Sequence, residues 1–178
     1  MILLARHGQT AYNAEGRFQG HLPVPLDETG RAQAHALAEA VAEREIGALW
    51  CSPLARARET AGIVAARIGM EPVQDMRFAE TDAGDWTDRT FADVREHEPE
   101  LFARFVGADP TFGFPGGESF AQQAERIAEG LAAARAATAQ PVLVVCHGVT
   151  IRIAQALEAG TTEALPPPVA NATIVELA

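Results

Sequence analysis

The chain has 178 residues, 14 of them Lys or Arg against 24 Asp or Glu, and a formal net charge of −10. That acidic balance disfavours nucleic acid and acidic membrane surfaces as partners, and no apolar run approaches the length of a membrane span. The length suits one domain, 1–178, with a sizeable core, while two cysteines, Cys51 and Cys146, are too few for a disulfide framework and fit a reducing cytoplasm.

Met1-Ile2-Leu3-Leu4 reads as a buried strand, which leaves no room for a signal peptide. Arg6-His7-Gly8 comes where that strand must end, and Gly8 is expected to supply unusual turn angles or a close approach to a ligand. Ala11 to Gly20 reads as a loop of turn formers, and Pro23 and Pro25 exclude a helix interior after it. Asp27 is an N-cap for a helix with Ala34, Leu37, Ala38 and Val41 at helical spacing. Ile46–Cys51 is a second strand, and Ser52-Pro53 caps a helix that runs to about Ile68, with Pro53 in its first turn.

A short third strand is expected within 70–76, then a loop over 77–90. A helix over 91–106 should break near Pro99, and 109–117 is a loop with two prolines. Glu118 or Ser119 opens a long alanine-rich helix ending near Thr138. Val142-Leu143-Val144-Val145-Cys146 is a strand buried on both faces, followed by a helix over 150–158 and a last strand over 172–177. Strands alternating with helices predict a single α/β domain of three layers, a mostly parallel central sheet with helices on both faces.

The chemistry emerges when strand ends are compared. One strand ends in Arg6-His7-Gly8, another in His147-Gly148, and a third in Ser52-Pro53 with Arg56 in the next helical turn. In open α/β sheets ligands sit beyond the carboxyl ends of the strands. Two imidazoles and two guanidiniums there, in an acidic chain, suit an anion. Taken singly, Arg56 reads as a solvated helix residue and His147 as a capping histidine. Nothing has metal-ligand spacing, so no metal is expected.

These residues resemble the histidine phosphatase superfamily, also called the phosphoglycerate-mutase-like family. Arg6-His7-Gly8-Gln9-Thr10 with Tyr12-Asn13 is similar to its opening motif, and Ser52-Pro53-Leu54-Ala55-Arg56-Ala57 with Thr60-Ala61 to its second block. Glu80 with Gly84 and Trp86, Pro115-Gly116-Gly117-Glu118-Ser119, and Cys146-His147-Gly148 with Ile151-Arg152 follow in order. The resemblance implies His7 as nucleophile through a phosphohistidine, Glu80 as general acid and base, and Arg6, Arg56 and His147 as holders of the phosphoryl oxygens. Asn13, Gln19, Gly20 and Gly148 complete the implied substrate-binding set, and no cofactor is needed. The implied partner is a small-molecule phosphate ester. Oligomeric state stays open, a homodimer being one option.

Pro23, where the family usually has Asp, and Thr87-Asp88, in place of Glu-Gly, depart from the pattern. The family's mutases carry extra loops with paired arginines for a substrate carboxylate. No such pair stands between Glu80 and Gly116, so hydrolysis is preferred over mutase transfer. Two rivals remain. Cys146 to Arg152 has the Cys-x5-Arg spacing of cysteine phosphatases, although Val149 and Ile153 fit that loop poorly. A non-catalytic phosphate-binding module would keep the same cage. Selectivity is expected from 82–89, 95–114 and His21, with Trp86, Phe112 and Phe114 serving as an apolar wall or as core.

Overall fold

The apolar runs pair into one five-stranded sheet, in the order β3-β2-β4-β1-β5. The strands are β1 (Ile2–Arg6), β2 (Ala48–Cys51), β3 (Val73–Gln74), β4 (Val142–Cys146) and β5 (Ile174–Leu177). The first four are parallel and β5 runs antiparallel to β1. The helices are α1 (Ala11–Glu15), α2 (Glu28–Ala42), α3 (Ala55–Ile68), α4 (Phe91–His97), α5 (Pro99–Val106), α6 (Phe120–Ala136) and α7 (Gly148–Glu158). This computed structural model describes residues 1–137, 139–161 and 165–177.

Alternation along the central strands explains the three layers. Ile2, Leu4, Val142, Val144 and Cys146 face one core, where Ile127 and Leu131 of α6 and Ile151 of α7 pack. Leu3, Ala5, Leu143 and Val145 face the other, against Leu37 and Val41 of α2 and Ala57, Ala61 and Val64 of α3. Burial on both faces is what a continuous β-branched strand in a parallel sheet implies. Among the described residues no helix is long and apolar enough to cross a membrane.

Several boundaries differ from the sequence reading, for local reasons. β1 begins at Ile2 rather than Met1 and ends at Arg6 as expected, where Cys146 pairs beside it and the Arg6 N–H reaches the Thr173 carbonyl at 3.1 Å. The expected loop after Thr10 contains the one-turn helix α1, because Thr10 and Asn13 form a reciprocal capping box. Pro53 lies outside α3: Leu54 is still extended, and the Ser52 hydroxyl accepts from the Leu54 N–H without capping the helix. The strand expected from Ile46 begins at Ala48, and the helix expected from Thr150 begins at Gly148. The break at Pro99 falls as expected, with Glu98 pushed out of the helical region before the proline. The expected helix end near Thr138 lies outside the described residues, and α6 ends at Ala136.

Candidate active site

Sheet order makes β2, β4 and β1 neighbours, so their carboxyl ends deliver Ser52, His147 and Arg6-His7 to one place. The turn after β1 is held by close packing. A Cβ on Gly8 would stand 2.3 Å from the Gly30 carbonyl oxygen, and one on Gly30 would stand 1.9 Å from that of Gln9. Gly8 is therefore required by the approach of α2. It has no positive φ, so the expected unusual turn angles are not its reason.

His7 is 2% exposed. Its Nδ1 lies 2.6 Å from the Gly8 carbonyl. A carbonyl only accepts, so Nδ1 carries the proton and Nε2 keeps its lone pair. Burial first, then the Arg56 and Arg6 guanidiniums, hold this imidazole well below its ordinary 6.5.

His147 packs its ring 5.1 Å from that of His7. Its Nε2 meets the Ser52 hydroxyl at 2.7 Å. That hydroxyl already accepts from the Leu54 N–H. With the Ser52 hydroxyl donating to Nε2, the His147 proton lies on Nδ1. Burial, then Arg56, His7 and Arg6, hold His147 well below 6.5 as well.

Arg56, 1% exposed, donates to the Gly20 carbonyl at 2.9 Å and the Leu22 carbonyl at 3.3 Å. Burial pulls its pKa down to about 10, with Arg6 adding to the fall and Glu80 opposing it. Arg6 donates to the Val169 carbonyl. Four buried polar side-chain atoms among the described residues lack a partner: Arg6 Nε, Arg56 Nε, His147 Nδ1 and Gln155 Oε1. Three of these are N–H donors beside His7.

Glu80 is anchored by main-chain donors. Its carboxylate accepts from the Thr81 N–H at 3.1 Å and from the Val149 N–H at 3.2 Å. Val149 stands in the first turn of α7. Behind it runs a directed chain. The Thr81 hydroxyl donates to Gln123 Oε1, Gln123 Nε2 donates to Thr150 Oγ1, and Thr150 donates to the Ala79 carbonyl at 3.0 Å. Arg126 spans the carbonyls of Arg77, Ala79 and Glu80 while pairing with Glu118. Gly84, at φ +49°, packs so tightly on the Pro115–Gly117 turn that a Cβ would meet the Pro115 oxygen at 2.2 Å. The glycine pair of that turn therefore serves the Glu80 loop.

A cavity of about 470 Å³ is lined by Arg6, His7, Asn13, Gln19, Gly20, Arg56, Glu80 and Gly148. Every residue expected at the site except His147 thus borders it, and His147 is fully buried with its ring packed against that of His7. The Asn13 and Gln19 side-chain oxygens are engaged by Thr10. His21 does not border the cavity; its ring meets the Glu80 carbonyl at 2.7 Å.

Phe105 and Val106 border the cavity from within the 95–114 stretch expected to set selectivity, and Arg152 of the late histidine block borders it too, whereas sequence reasoning missed Phe18 and Phe91. It missed Gln123 too, although a glutamine on the buried face of α6 beside Phe120 and Ile127 was a readable signal. Trp86 and Phe112 are fully buried core, and only Phe114 of the expected trio reaches the cavity. Among the described residues no group of three His, Cys, Asp or Glu side chains is placed to hold a metal ion.

A three-layer α/β sheet with two neutral histidines and two desolvated arginines at adjacent strand ends defines a class of oxyanion-binding site. Residues 2–178 match the family model of the histidine phosphatase superfamily (branch 1), and the chain belongs to that family. Phosphoserine phosphatase 1 of Hydrogenobacter thermophilus is 34% identical over 152 residues, covering 85% of this chain and 72% of that protein. A bifunctional protein of Mycobacterium tuberculosis is 38% identical over 167 residues, yet this chain spans only 45% of its length. A mycobacterial glucosyl-3-phosphoglycerate phosphatase, solved in complex with VO3, superposes with a TM-score of 0.88 at 33% identity, covering 97% of this chain and 90% of that one.

Proposed function

We propose that this chain hydrolyses small phosphate monoesters in two steps, with His7 as the nucleophile. The observation that carries the reading is the trio of unpartnered buried donors, Arg6 Nε, Arg56 Nε and His147 Nδ1, around a neutral imidazole. Buried N–H groups left without acceptors are costly, and phosphoryl oxygens are acceptors that would satisfy all three.

In the first step, with Glu80 in its protonated form, the His7 Nε2 lone pair attacks phosphorus as the ester P–O bond breaks, and the leaving alkoxide takes the Glu80 proton. The product is a phosphohistidine and a free alcohol. In the second step water gives a proton to the Glu80 carboxylate and its oxygen attacks phosphorus. The P–N bond breaks, inorganic phosphate leaves, and His7 is regenerated. Arg6, Arg56 and His147 hold the non-bridging oxygens throughout. Charge spreads over those oxygens in the transition state, so donors fixed beforehand lower the barrier. Asn13, Gln19, Gly20 and Gly148 border the same space and supply further polar contacts to the substrate.

The cysteine rival is disfavoured by chemistry. A nucleophilic thiol needs a lowered pKa, whereas burial, with Glu80 adding, pushes Cys146 up. Hydrolysis is favoured over transfer to a phosphoglycerate because no arginine between Glu80 and Gly116 borders the cavity: Arg89 is held by Asp93 and Glu98, and Arg104 by Asp109. Cys51 and Cys146 are both buried free thiols, which fits our placement of the chain in the cytoplasm.

The test is a panel of phosphate monoesters assayed for free phosphate, with a phosphoglycerate included and its isomer measured beside it. Phosphate should accumulate and isomer should not. Isomer outpacing phosphate would make the chain a mutase, and binding without either product would leave the non-catalytic module.

A further inference from the structure

The cavity that holds the cage residues is otherwise largely apolar, with Phe18, Phe91, Phe105, Val106 and Phe114 along its lining. Phe18 sits at the centre of this wall, its ring 4.5 Å from Phe91, 5.3 Å from Phe105 and 6.0 Å from Phe114. The wall is backed by core. Trp86 is fully buried, 5.1 Å from Phe18 and 5.4 Å from Phe114. Packed aromatic rings in such a cluster have little freedom left to lose on binding. At the rim, Phe91 is 41% and Val106 is 62% exposed. Large apolar side chains left in water beside a concave, polar-floored site mark a binding surface more than a packing defect.

The charges bordering the cavity do not favour a second acidic group on the substrate. Arg6 and Arg56 are committed to the cage, Arg17 is engaged by Glu15 and Asp88, and Arg152 is 9% exposed and desolvated by burial. Arg152 also donates to the Pro166 carbonyl.

We propose that the phosphorylated alcohol taken by this site is apolar next to its phosphate: an alkyl or arylalkyl phosphate monoester whose hydrocarbon body lies on the Phe18–Phe91–Phe105 wall. This rests on the reading of the cage as a phosphate site. It predicts selectivity for chain length over charge, because each methylene laid on the wall leaves water.

The experiment uses alkylphosphonates, which keep the phosphoryl oxygens but have no P–O–C bond to cleave. Their binding to the intact protein is measured by calorimetry from methyl- to hexylphosphonate, with 2-amino-4-phosphonobutyrate as the charged comparison. Affinity should rise about two- to fourfold per methylene, and hexylphosphonate should bind more tightly than the amino acid. Val106→Asp and Phe91→Ser, both at exposed positions, should flatten the series, with thermal melting as the check that each variant folds. A flat series in the native protein, or tightest binding of the amino acid, overturns the proposal. A flat series while ethyl phosphate is still hydrolysed overturns it and leaves the cage reading standing. Absence of both phosphonate binding and hydrolysis overturns the cage reading with it.

Discussion

The cage and the apolar wall share one cavity but are built differently. The cage is made by strand ends and the residues one turn beyond them, and every member is tied to main chain or to a neighbouring side chain: Arg6 to Val169, His7 to Gly8, Arg56 to Gly20 and Leu22, His147 to the Ser52 hydroxyl. The wall is made by side chains from a loop, α4 and α5, and rings contact rings without hydrogen bonds. The first arrangement fixes where oxygens can sit to within a hydrogen bond. The second fixes only that something apolar fits. In this account chemistry belongs to the cage and selectivity to the wall, and the two should fail separately.

The largest expected effect comes from removing the nucleophile. His7→Ala should lower kcat by on the order of 10⁴-fold or more, whereas Cys146→Ser should keep most activity; steady-state phosphate release distinguishes them, and the reverse outcome would move the nucleophile to sulfur.

Next come the two kinds of support around phosphorus. Glu80→Gln should cost on the order of 10²–10⁴-fold with alkyl phosphates and much less with nitrophenyl phosphate, whose leaving group needs no proton. If water activation limits the second substrate, a burst of one nitrophenol per protein should precede a slow steady state. Gln123→Leu should reproduce that leaving-group dependence at about tenfold amplitude, because it only loosens the Thr81–Thr150 support of Glu80. Arg56→Ala should lose about 10²–10³-fold with both substrates alike. Equal losses in Glu80→Gln with no burst would take Glu80 out of proton transfer.

The smallest effect is on stability against pH. His7 and His147 are both depressed in the fold, by burial first and then by Arg56 and neighbouring cage groups. Below the unfolded value of about 6.5 the unfolded chain takes up protons that the native cage refuses. Their contribution is therefore fully present above that value and is lost as pH falls toward their lower folded values. Each histidine adds at most about 1.4 kcal/mol per pH unit to that slope. Denaturant titrations from pH 7 to about 5 should show a shallower loss in His7→Asn than in the native protein; parallel slopes would mean that His7 is not held neutral.

The same contrast governs what the sequence made legible. Cage members sit next to turn residues in short motifs at the ends of apolar runs, so comparing strand ends brought His7, Arg6, Arg56 and His147 together, and the family resemblance gave them roles. Glu80 lies in an aperiodic stretch, and only family resemblance singled it out. Its supports, Gln123 and Arg126, come from a helix more than forty residues on, and nothing local links them. Phe105 and Val106 fell within a stretch expected to set selectivity without being singled out, and Phe91 read as an ordinary helix residue, since a helical period does not say which cavity an exposed face borders. Trp86 and Phe112 looked equally suited to wall or core, and the ring cluster around them settled it as core. Gly8 was read for its freedom, yet its need is the approach of Gly30 across 22 residues, a contact invisible in a single turn.

The central claim is that phosphorus passes through His7. Rapid quenching of the intact protein with a radiolabelled alkyl phosphate, followed by peptide mapping, tests it most directly. The account predicts a label on His7 that is stable in base and lost in acid, and absent in His7→Ala. A label on Cys146, or steady phosphate release with no labelled protein at any quench time, would contradict it.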